Sequence, residues 1–415
     1  MSIGLRSFGK FIVPDTMPTV QFQHAAMGTS TVVVADNGDR SADSSLTGVK
    51  LSYENQPMTR LMLGDPVPWF RAPTSSRPDY SFGTVAGRYV VMAFVSSSRS
   101  TAGKACTGAI EARRRLFNDA DVAFFGVTAD PLDQSQLRVR DDVPGVRWFF
   151  DPGAAIARSF GAVDSEGKVA AQWFLLDPML RVIAIDSLPD RMLDLVSRLP
   201  PPGQHAGCEL TAPVLLVPRV FEPEMCRALV DYYRRKGGEE SGFMVERDGK
   251  TTRVSDYSHK RRSDCTIEDD AFRQACEARI KRRLLPEIAK CLQFKVTRME
   301  RYIIACYRDD EAGHFGPHRD NTTKGTAHRR FAVTLNLNAE EYEGGELRFP
   351  EFGPRTYKPP TGGAVVFSCS LLHEALPVRS GTRYVFLPFL YDEAAAQIRE
   401  ENNRFLDESV GSYTR

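Results

Sequence analysis

Three consecutive prolines near the middle of the 415-residue sequence divide it into two differently patterned parts. They lie in the segment LPPPGQHAGCELTAP, residues 199–213. Because proline fixes φ and lacks a backbone N–H, this segment cannot continue a helix or enter the middle of a sheet. Its proline and glycine content is typical of a linker. The sequence therefore predicts at least two domains, and a chain of this length can give each of them a core.

Before the linker, strand and helix patterns alternate. The order is strand 88–95, helix 106–117, strand 121–130, helix 151–161, a hairpin at 171–187 and a helix at 190–199. This order predicts a sheet flanked by helices. Residues 1–60 contain one β-rich patch followed by a Gly/Ser/Asp-rich stretch, and are predicted to be a partly flexible extension.

After the linker the pattern changes. A strand and a capped helix come first, and residues 267–292 follow as a long amphipathic helical stretch. From about residue 297 short apolar runs are separated by Gly and Pro turns. Successive antiparallel strands of this kind predict a sandwich or a jelly roll.

The charge and cysteine content restrict the partners and the compartment. A net charge of +1 argues against nucleic acid as a partner. No run approaches the ~18 apolar residues of a membrane span, so no membrane partner is expected. The eight cysteines are scattered singly, which is typical of reduced thiols in a cytoplasmic protein. The basic runs HKRRSD (259–264) and ARIKRR (278–283) are candidate anion sites, although solvated surface charge is the commoner interpretation.

Three residues in the second part have the pattern of a metal site. His318 and Asp320 are two apart, so in a strand their side chains would point to the same side. His373 follows the apolar strand AVVFSCS directly. Two imidazoles and one carboxylate form the facial triad of non-haem Fe(II) oxygenases, which leaves three coordination positions open.

Arg383 is the fourth member of this pattern. On the predicted strand RYVFLPFL it shares a face with the core residues Val385 and Leu387. An arginine that faces a core needs a carboxylate partner, and the distal carboxylate of 2-oxoglutarate would provide one. A zinc site with the same three ligands is an alternative, but it would leave Arg383 without a role.

His318-x-Asp320, His373 and Arg383, with YEGGELRFP (342–350) between them, resemble the 2-oxoglutarate/Fe(II) dioxygenase superfamily, in particular its prolyl 4-hydroxylase-like branch. The resemblance covers about residues 210–392. It implies an α+β double-stranded β-helix (jelly-roll) domain at 214–392, followed by a tail at 393–415. It also implies that Tyr307 contacts 2-oxoglutarate.

The same resemblance implies the chemistry. Fe(II), 2-oxoglutarate and O₂ are the expected cofactor and cosubstrates, with ascorbate as a candidate addition. A C–H bond of an amino-acid-like, peptidyl or other small-molecule substrate would be hydroxylated, with release of succinate and CO₂. Related halogenases have a small residue at the position of Asp320, so its presence favours hydroxylation.

Two other histidines of this region are given lesser roles. Gly316 and Pro317 interrupt the stretch between His314 and His318, so the two need not share a face. His314 is therefore a candidate pocket-lining residue rather than a ligand, and His328 is predicted to lie in a loop.

The first part resembles the peroxiredoxin/AhpC-TSA branch of the thioredoxin fold over about residues 61–199, through LMLGDPVPWF, VVMAFV and DPGAAIARSFGAV. The resemblance implies an α/β thioredoxin-like domain, with Cys106 at a helix start as the redox thiol. However, the family's proline-threonine-cysteine motif is incomplete, since Thr101 lies five residues before Cys106 and no proline precedes it. The arginine expected before WFLLD is also absent. A scaffold, a dimer surface or a substrate-docking module is then the simpler interpretation, and a homodimer is left open.

Two alternatives to a hydroxylase remain at this level. The chain could be a thiol peroxidase that acts through Cys106, with the second domain as an accessory. It could also be a sensor in which the iron site reports O₂ or 2-oxoglutarate without turnover. Fold alone does not decide among these functions.

Overall fold

The computed structural model of the chain describes residues 60–411. The predicted N-terminal extension at 1–60 therefore lies outside the described residues, apart from Arg60, and so do residues 412–415. Within the described range, no helix is long and apolar enough to cross a membrane.

A five-stranded sheet forms the centre of the part before the linker. Its strands, in order across the sheet, are Val146–Phe150, Val122–Thr128, Tyr89–Val95, Gln172–Leu176 and Val182–Asp186. The first three run parallel, and the last two are antiparallel to their neighbours. Two apolar clusters, which draw on alternate residues of these strands, cover the two faces. Burial on both faces explains why the strands read as continuous apolar runs. The sequence pattern missed Val146–Phe150, a short run that directly follows Pro144 and Gly145.

The helices of this part are Thr101–Ala112, Pro131–Ser135, Ala155–Ser159 and Pro189–Val196. The first begins at Thr101 rather than at residue 106, because the Ser100 side chain accepts a hydrogen bond from the Gly103 N–H at 3.0 Å and caps it. The prediction that Cys106 lies at a helix start is therefore wrong, since it lies in the second turn.

The linker is irregular apart from a 3₁₀ turn at Pro202–Gln204. The helices beyond it are Pro223–Lys236, Asp270–Arg279 and Leu285–Leu292, with a π-helical turn at Ile280–Leu284 between the last two. Pro286 has no N–H to donate to the preceding turn, which accounts for the irregular hydrogen bonding there. The helix Glu393–Glu401 occupies the start of the predicted C-terminal tail, with Asp392 as its cap.

Two antiparallel sheets make up most of the second part. The smaller one contains Lys260–Arg261, His314–His318, His373–Ala375, Leu347–Arg348 and Thr356–Tyr357, in that order. The larger one contains Arg298–Glu300, Phe389–Tyr391, Phe331–Asn336, Val378–Phe386, Ile303–Arg308, Ser263–Thr266 and Glu239–Glu240, with Tyr342–Gly344, Ala364–Ser368 and Leu215–Val217 joined to it. A separate hairpin pairs Phe243–Arg247 with Lys250–Val254.

The two sheets pack against each other through one face of each. Ala332, Val365 and Phe367 of the larger sheet share a cluster with Leu347 and Tyr357 of the smaller one. The other face of the larger sheet packs against the helices. The antiparallel strands on which the prediction of a sandwich depends are therefore present. The strand expected at His318 is present as His314–His318, whereas the strand His373–Ala375 was not predicted, because it has only three residues.

Candidate metal centre and active site

His318 and His373 lie opposite each other on neighbouring antiparallel strands of the smaller sheet. Directly opposed residues project to the same side of a sheet, so the two imidazoles meet, with ring centroids 4.3 Å apart. Strand pairing therefore brings together two side chains that are far apart in the sequence.

Asp320 completes the group, but from a turn. The strand ends at His318, and the Asp320 N–H donates to the Cys369 carbonyl at 2.9 Å. The prediction that His318 and Asp320 share a strand is therefore only half correct. The Asp320 carboxylate oxygens lie 3.6 Å from His318 Nε2 and 3.3 Å from His373 Nε2. One ligand atom from each of the three residues lies within 4.8 Å of the others, which is the spacing of donors around one metal ion.

Backbone carbonyls orient both imidazoles. His318 Nδ1 is 2.8 Å from the Gly316 carbonyl, and His373 Nδ1 is 3.0 Å from the Leu371 carbonyl. A carbonyl only accepts, so each Nδ1 carries the proton and each Nε2 presents a lone pair towards Asp320.

Burial and the neighbouring His373 lower the pKa of His318 to about 4, which keeps its ring neutral near pH 7. Burial acts to raise the pKa of Asp320, but the neighbouring histidines outweigh it and hold that pKa below its ordinary value. The site thus presents a neutral His318 imidazole and an ionised Asp320 carboxylate, the protonation states in which these two groups bind metal.

Arg383 and Tyr307 lie opposite each other on neighbouring strands of the larger sheet. Arg383 is one of the largest fully buried side chains, and its guanidinium lies over the Tyr307 ring, 4.7 Å from the centroid. Its Nε and Nη1 atoms are buried without a hydrogen-bond partner, and it forms no ion pair within residues 60–411. Burying a charge without a counter-charge costs free energy, so this arginine is expected to bind a carboxylate ligand.

The glycine pair of YEGGELRFP gives Arg383 its space. Gly345 has a φ of +66°, and a Cβ atom there would lie 2.7 Å from Cδ of Arg383. Both the backbone conformation and the close approach therefore require glycine. The need for glycine at position 345 therefore explains part of the YEGGELRFP motif.

One cavity of about 750 Å³ joins these elements. Its lining includes His318, Asp320, His373, Tyr307 and Arg383. The five residues that the sequence assigns to metal and cosubstrate therefore face one space, between the two sheets of the second part.

The residue between His318 and Asp320 reaches into the first part of the chain. Arg319 is buried, and its Nε and Nη2 donate to the Gly83 carbonyl at 3.1 and 2.9 Å. Its guanidinium stacks on Trp69, 4.1 Å from the ring centroid. Sequence reasoning missed this residue, because its partner Gly83 is 236 positions away.

Glu351 links the two ligand-bearing segments. It accepts hydrogen bonds from Arg319 Nη2 at 2.8 Å and from the Leu372 N–H, next to His373, at 2.9 Å. The Leu372 side chain is itself packed in the apolar core of the N-terminal sheet. Neighbours of both histidine ligands are thus anchored on the N-terminal part of the chain.

The two histidines that were given lesser roles lie as follows. His314 is not part of the cavity lining within the described residues. Its ring nitrogens instead lie 2.8 Å from the Ala312 carbonyl and 3.3 Å from the Ser258 carbonyl. The pocket-lining role is therefore wrong, because the side chain turns towards the backbone. His328 lies in a turn as predicted, but it is fully buried, with Nε2 3.0 Å from Glu300.

Cys106 is 1% exposed, and burial raises the pKa of its thiol to about 12. This is the opposite of the shift that a helix N-terminus would produce. The structure therefore argues against the thiolate that a peroxidase needs.

This burial predicts the order of cysteine reactivity. At pH 8, iodoacetamide is expected to modify the exposed Cys208 and Cys291 in the native protein, and Cys106 only after unfolding, because the thiolate is the reactive form. Peptide mass spectrometry measures the extent at each site. Modification of native Cys106 as fast as that of Cys208 would show that the thiol is accessible and ionised.

Comparison with known proteins agrees with this geometry. Residues 302–391, which contain all three candidate ligands and Arg383, match the family model for the 2OG-Fe(II) oxygenase superfamily. These residues form a 2OG-Fe(II) oxygenase domain. Residues 63–185 match the AhpC/TSA family, so a thioredoxin-like AhpC/TSA domain precedes the oxygenase domain.

The oxygenase domain also has curated relatives. A PKHD-type hydroxylase of Acaryochloris marina is 36% identical over 119 residues, which are 28% of this chain and 54% of that protein. The multifunctional procollagen lysine hydroxylase and glycosyltransferase LH3 of Rattus norvegicus is 34% identical over 96 residues, 23% of this chain and 12% of that protein. The chain thus spans about half, or less, of the length of these relatives. A solved prolyl-4-hydroxylase of Pseudomonas putida aligns over 43% of this chain and 92% of its own, with 20% identity and a TM-score of 0.34.

Proposed function

We propose that the protein is an Fe(II)- and 2-oxoglutarate-dependent dioxygenase that hydroxylates a C–H bond. One observation carries the proposal: His318, Asp320 and His373 converge in the same cavity as a buried arginine that lacks a counter-charge. A zinc site would account for the first three residues but not for Arg383.

The residues fit both the metal and the cosubstrate. Two imidazole Nε2 atoms and a carboxylate, with both Nδ1 protons donated to carbonyls, are the donor set of a facial-triad iron site. The free Nε and Nη1 of Arg383 fit the distal carboxylate of 2-oxoglutarate. When bound, the two groups supply the oxidising chemistry of the family, in which 2-oxoglutarate and O₂ give succinate and CO₂ as the substrate gains a hydroxyl group.

The chain's own residues hold this arrangement in place. The Gly316 and Leu371 carbonyls fix the imidazole tautomers, and Phe315 stacks on His318 with ring centroids 3.5 Å apart. Tyr307 covers one face of the Arg383 guanidinium, which limits how far it can turn. Because Tyr307 lies against the proposed partner of 2-oxoglutarate, it is also proposed to contact this cosubstrate.

The finer architecture and the substrate are part of the same proposal. We assign a jelly roll to residues 214–392, because its two antiparallel sheets pack face to face with the site between them. The thioredoxin-like domain takes residues 61–199 and the linker 200–213. The name of the procollagen lysine hydroxylase favours an amino-acid-like or peptidyl substrate.

Succinate formation tests the proposal. Purified protein with Fe(II), 2-oxoglutarate and air is expected to release succinate, and His318→Ala is expected to reduce this to the level without protein, because the triad loses a ligand. His314→Ala is the matched control, since His314 begins the same strand but lies outside the cavity lining in the described chain. Equal activity in wild type and His318→Ala, in protein shown to be folded, would refute the assignment.

A further inference from the structure

Two basic residues beside the candidate iron site are buried rather than solvated. Lys260 and Arg262 come from the run HKRRSD, and both line the cavity that contains the triad. Their exposed fractions are 6% and 8%, whereas Arg261 between them is exposed. The run follows the alternation of a strand, so every second side chain points inward.

Lys260 has no acidic partner. Its Nζ donates to Ser241 Oγ at 2.8 Å and to the Gly242 carbonyl at 2.6 Å, and it lies 4.7 Å from the centroid of the Phe315 ring. An ammonium group has three N–H donors, so one remains for a ligand. Lys260 forms no ion pair with any described residue.

Arg262 is only partly neutralised. Its Nη2 donates to Asp264 at 2.7 Å and to the same Ser241 Oγ at 3.1 Å, while Nη1 is 3.3 Å from the Tyr307 hydroxyl. Its Nε is buried, with no hydrogen-bond partner in the part of the chain that the structure describes. Asp264 also accepts from Arg301 Nη2 at 3.2 Å, so one carboxylate serves two arginines while Lys260 has none.

We propose that Lys260 and Arg262 form an oxyanion subsite that binds a carboxylate or phosphate group of the primary substrate. This inference rests on the proposed function and specifies its substrate class as anionic. Both cations donate to one hydroxyl, which places them near each other, and an anion between them would offset their repulsion. Burial, and then the nearby Arg262, lower the pKa of Lys260 well below its ordinary value, and a bound anion would offset both effects.

The cosubstrate does not account for this charge. Arg383 is the proposed partner of its distal carboxylate, and its other end is expected at the triad. Arg262 lies over the same Tyr307 ring as Arg383, at 5.8 and 4.7 Å from the centroid, whereas Lys260 lies over Phe315. A second anion is therefore needed, and the shared cavity places it where a substrate would reach the iron site.

The test uses inorganic sulfate and acetate as probes of the full-length protein. Isothermal titration calorimetry is performed anaerobically with Fe(II) and saturating 2-oxoglutarate in chloride buffer. Sulfate or acetate is expected to bind to wild type, and Lys260→Met is expected to weaken binding at least about tenfold while Lys260→Arg retains it. Lys324→Met is the matched control, because Lys324 also lies over an aromatic ring, 4.1 Å from the Phe405 centroid, but is not part of the cavity lining. Tighter binding of acetate indicates a carboxylate group, and tighter binding of sulfate a phosphate-like one.

Three results would overturn the inference: no binding of either probe, equal binding to wild type and Lys260→Met, or competition between the probe and 2-oxoglutarate. The last would mean that the anion occupies the Arg383 site. The outcome is separable from the proposed function. Succinate formation without probe binding removes the subsite alone, whereas Lys260-dependent binding without succinate formation leaves the subsite and removes the dioxygenase.

Discussion

Replacing Arg383 by methionine is expected to abolish tight binding of 2-oxoglutarate while the cosubstrate-free protein keeps or gains stability. Loss of one partner of a buried charge pair costs ~2–5 kcal/mol, which is a fall in affinity of about 30-fold or more. Without 2-oxoglutarate, however, the Nε and Nη1 atoms of Arg383 are buried and unpartnered. Removing that charge is expected to raise the free energy of unfolding by on the order of 1 kcal/mol, less whatever the stacking on Tyr307 contributes.

Thermal unfolding with and without 2-oxoglutarate measures both effects. Wild type is expected to gain several degrees from the cosubstrate, and Arg383→Met to gain none. Arg298→Met is the control, because this exposed arginine pairs with the likewise exposed Glu393 at the surface. If Arg383→Met strongly destabilised the cosubstrate-free protein, Arg383 would be a structural residue and not a ligand-binding one.

The opposite result is expected for Arg319→Met, which removes another of the buried arginines near the site. Arg319 is paired with Glu351 and bonded to the Gly83 carbonyl, so its loss leaves a buried carboxylate without its counter-charge. Breaking such a pair costs ~3–5 kcal/mol. Because Glu351 also holds the Leu372 N–H, both ligand-bearing segments lose an anchor, and affinity for Fe(II) is expected to fall about 10–100-fold, as for other residues that orient metal ligands.

A variant in the other domain separates positioning from general stability. Trp69 stacks on Arg319 from the thioredoxin-like domain and is far less buried, with 52% of it exposed. Trp69→Leu is expected to weaken Fe(II) binding in the same direction with a smaller loss of stability. Unchanged Fe(II) affinity in both variants, measured on protein that remains folded, would mean that the thioredoxin-like domain does not position the iron site.

The sequence indicates the candidate ligands of the site better than it indicates the residues that hold those ligands in place. His318, His373 and Arg383 could be identified because residue type, order and neighbouring strand patterns all point to one donor set. Asp320 lies beside the two histidines, although it projects from a turn after the strand and not from the strand itself. Local pattern thus located the three candidate ligands without giving the geometry of each.

Long-range contacts could not be predicted. The role of Arg319 depends on Gly83 and Trp69, which lie in another domain, and nothing near His318 in the sequence marks them. The run HKRRSD looks like solvated charge until the strand pairing of Lys260 with Phe315 shows which side chains point inward. For Cys106 a local signal was overlooked, because Ser100 could have been recognised as the cap of a helix that begins before Cys106.

The most direct test of the iron and 2-oxoglutarate site is an anaerobic titration of the purified protein with Fe(II) and 2-oxoglutarate, monitored through the visible charge-transfer band of the chelate. A saturable band is expected in wild type, no band in His318→Ala, and a band in Arg383→Met only at much higher 2-oxoglutarate concentration. The absence of a band in wild-type protein shown by circular dichroism to be folded would contradict the dioxygenase assignment.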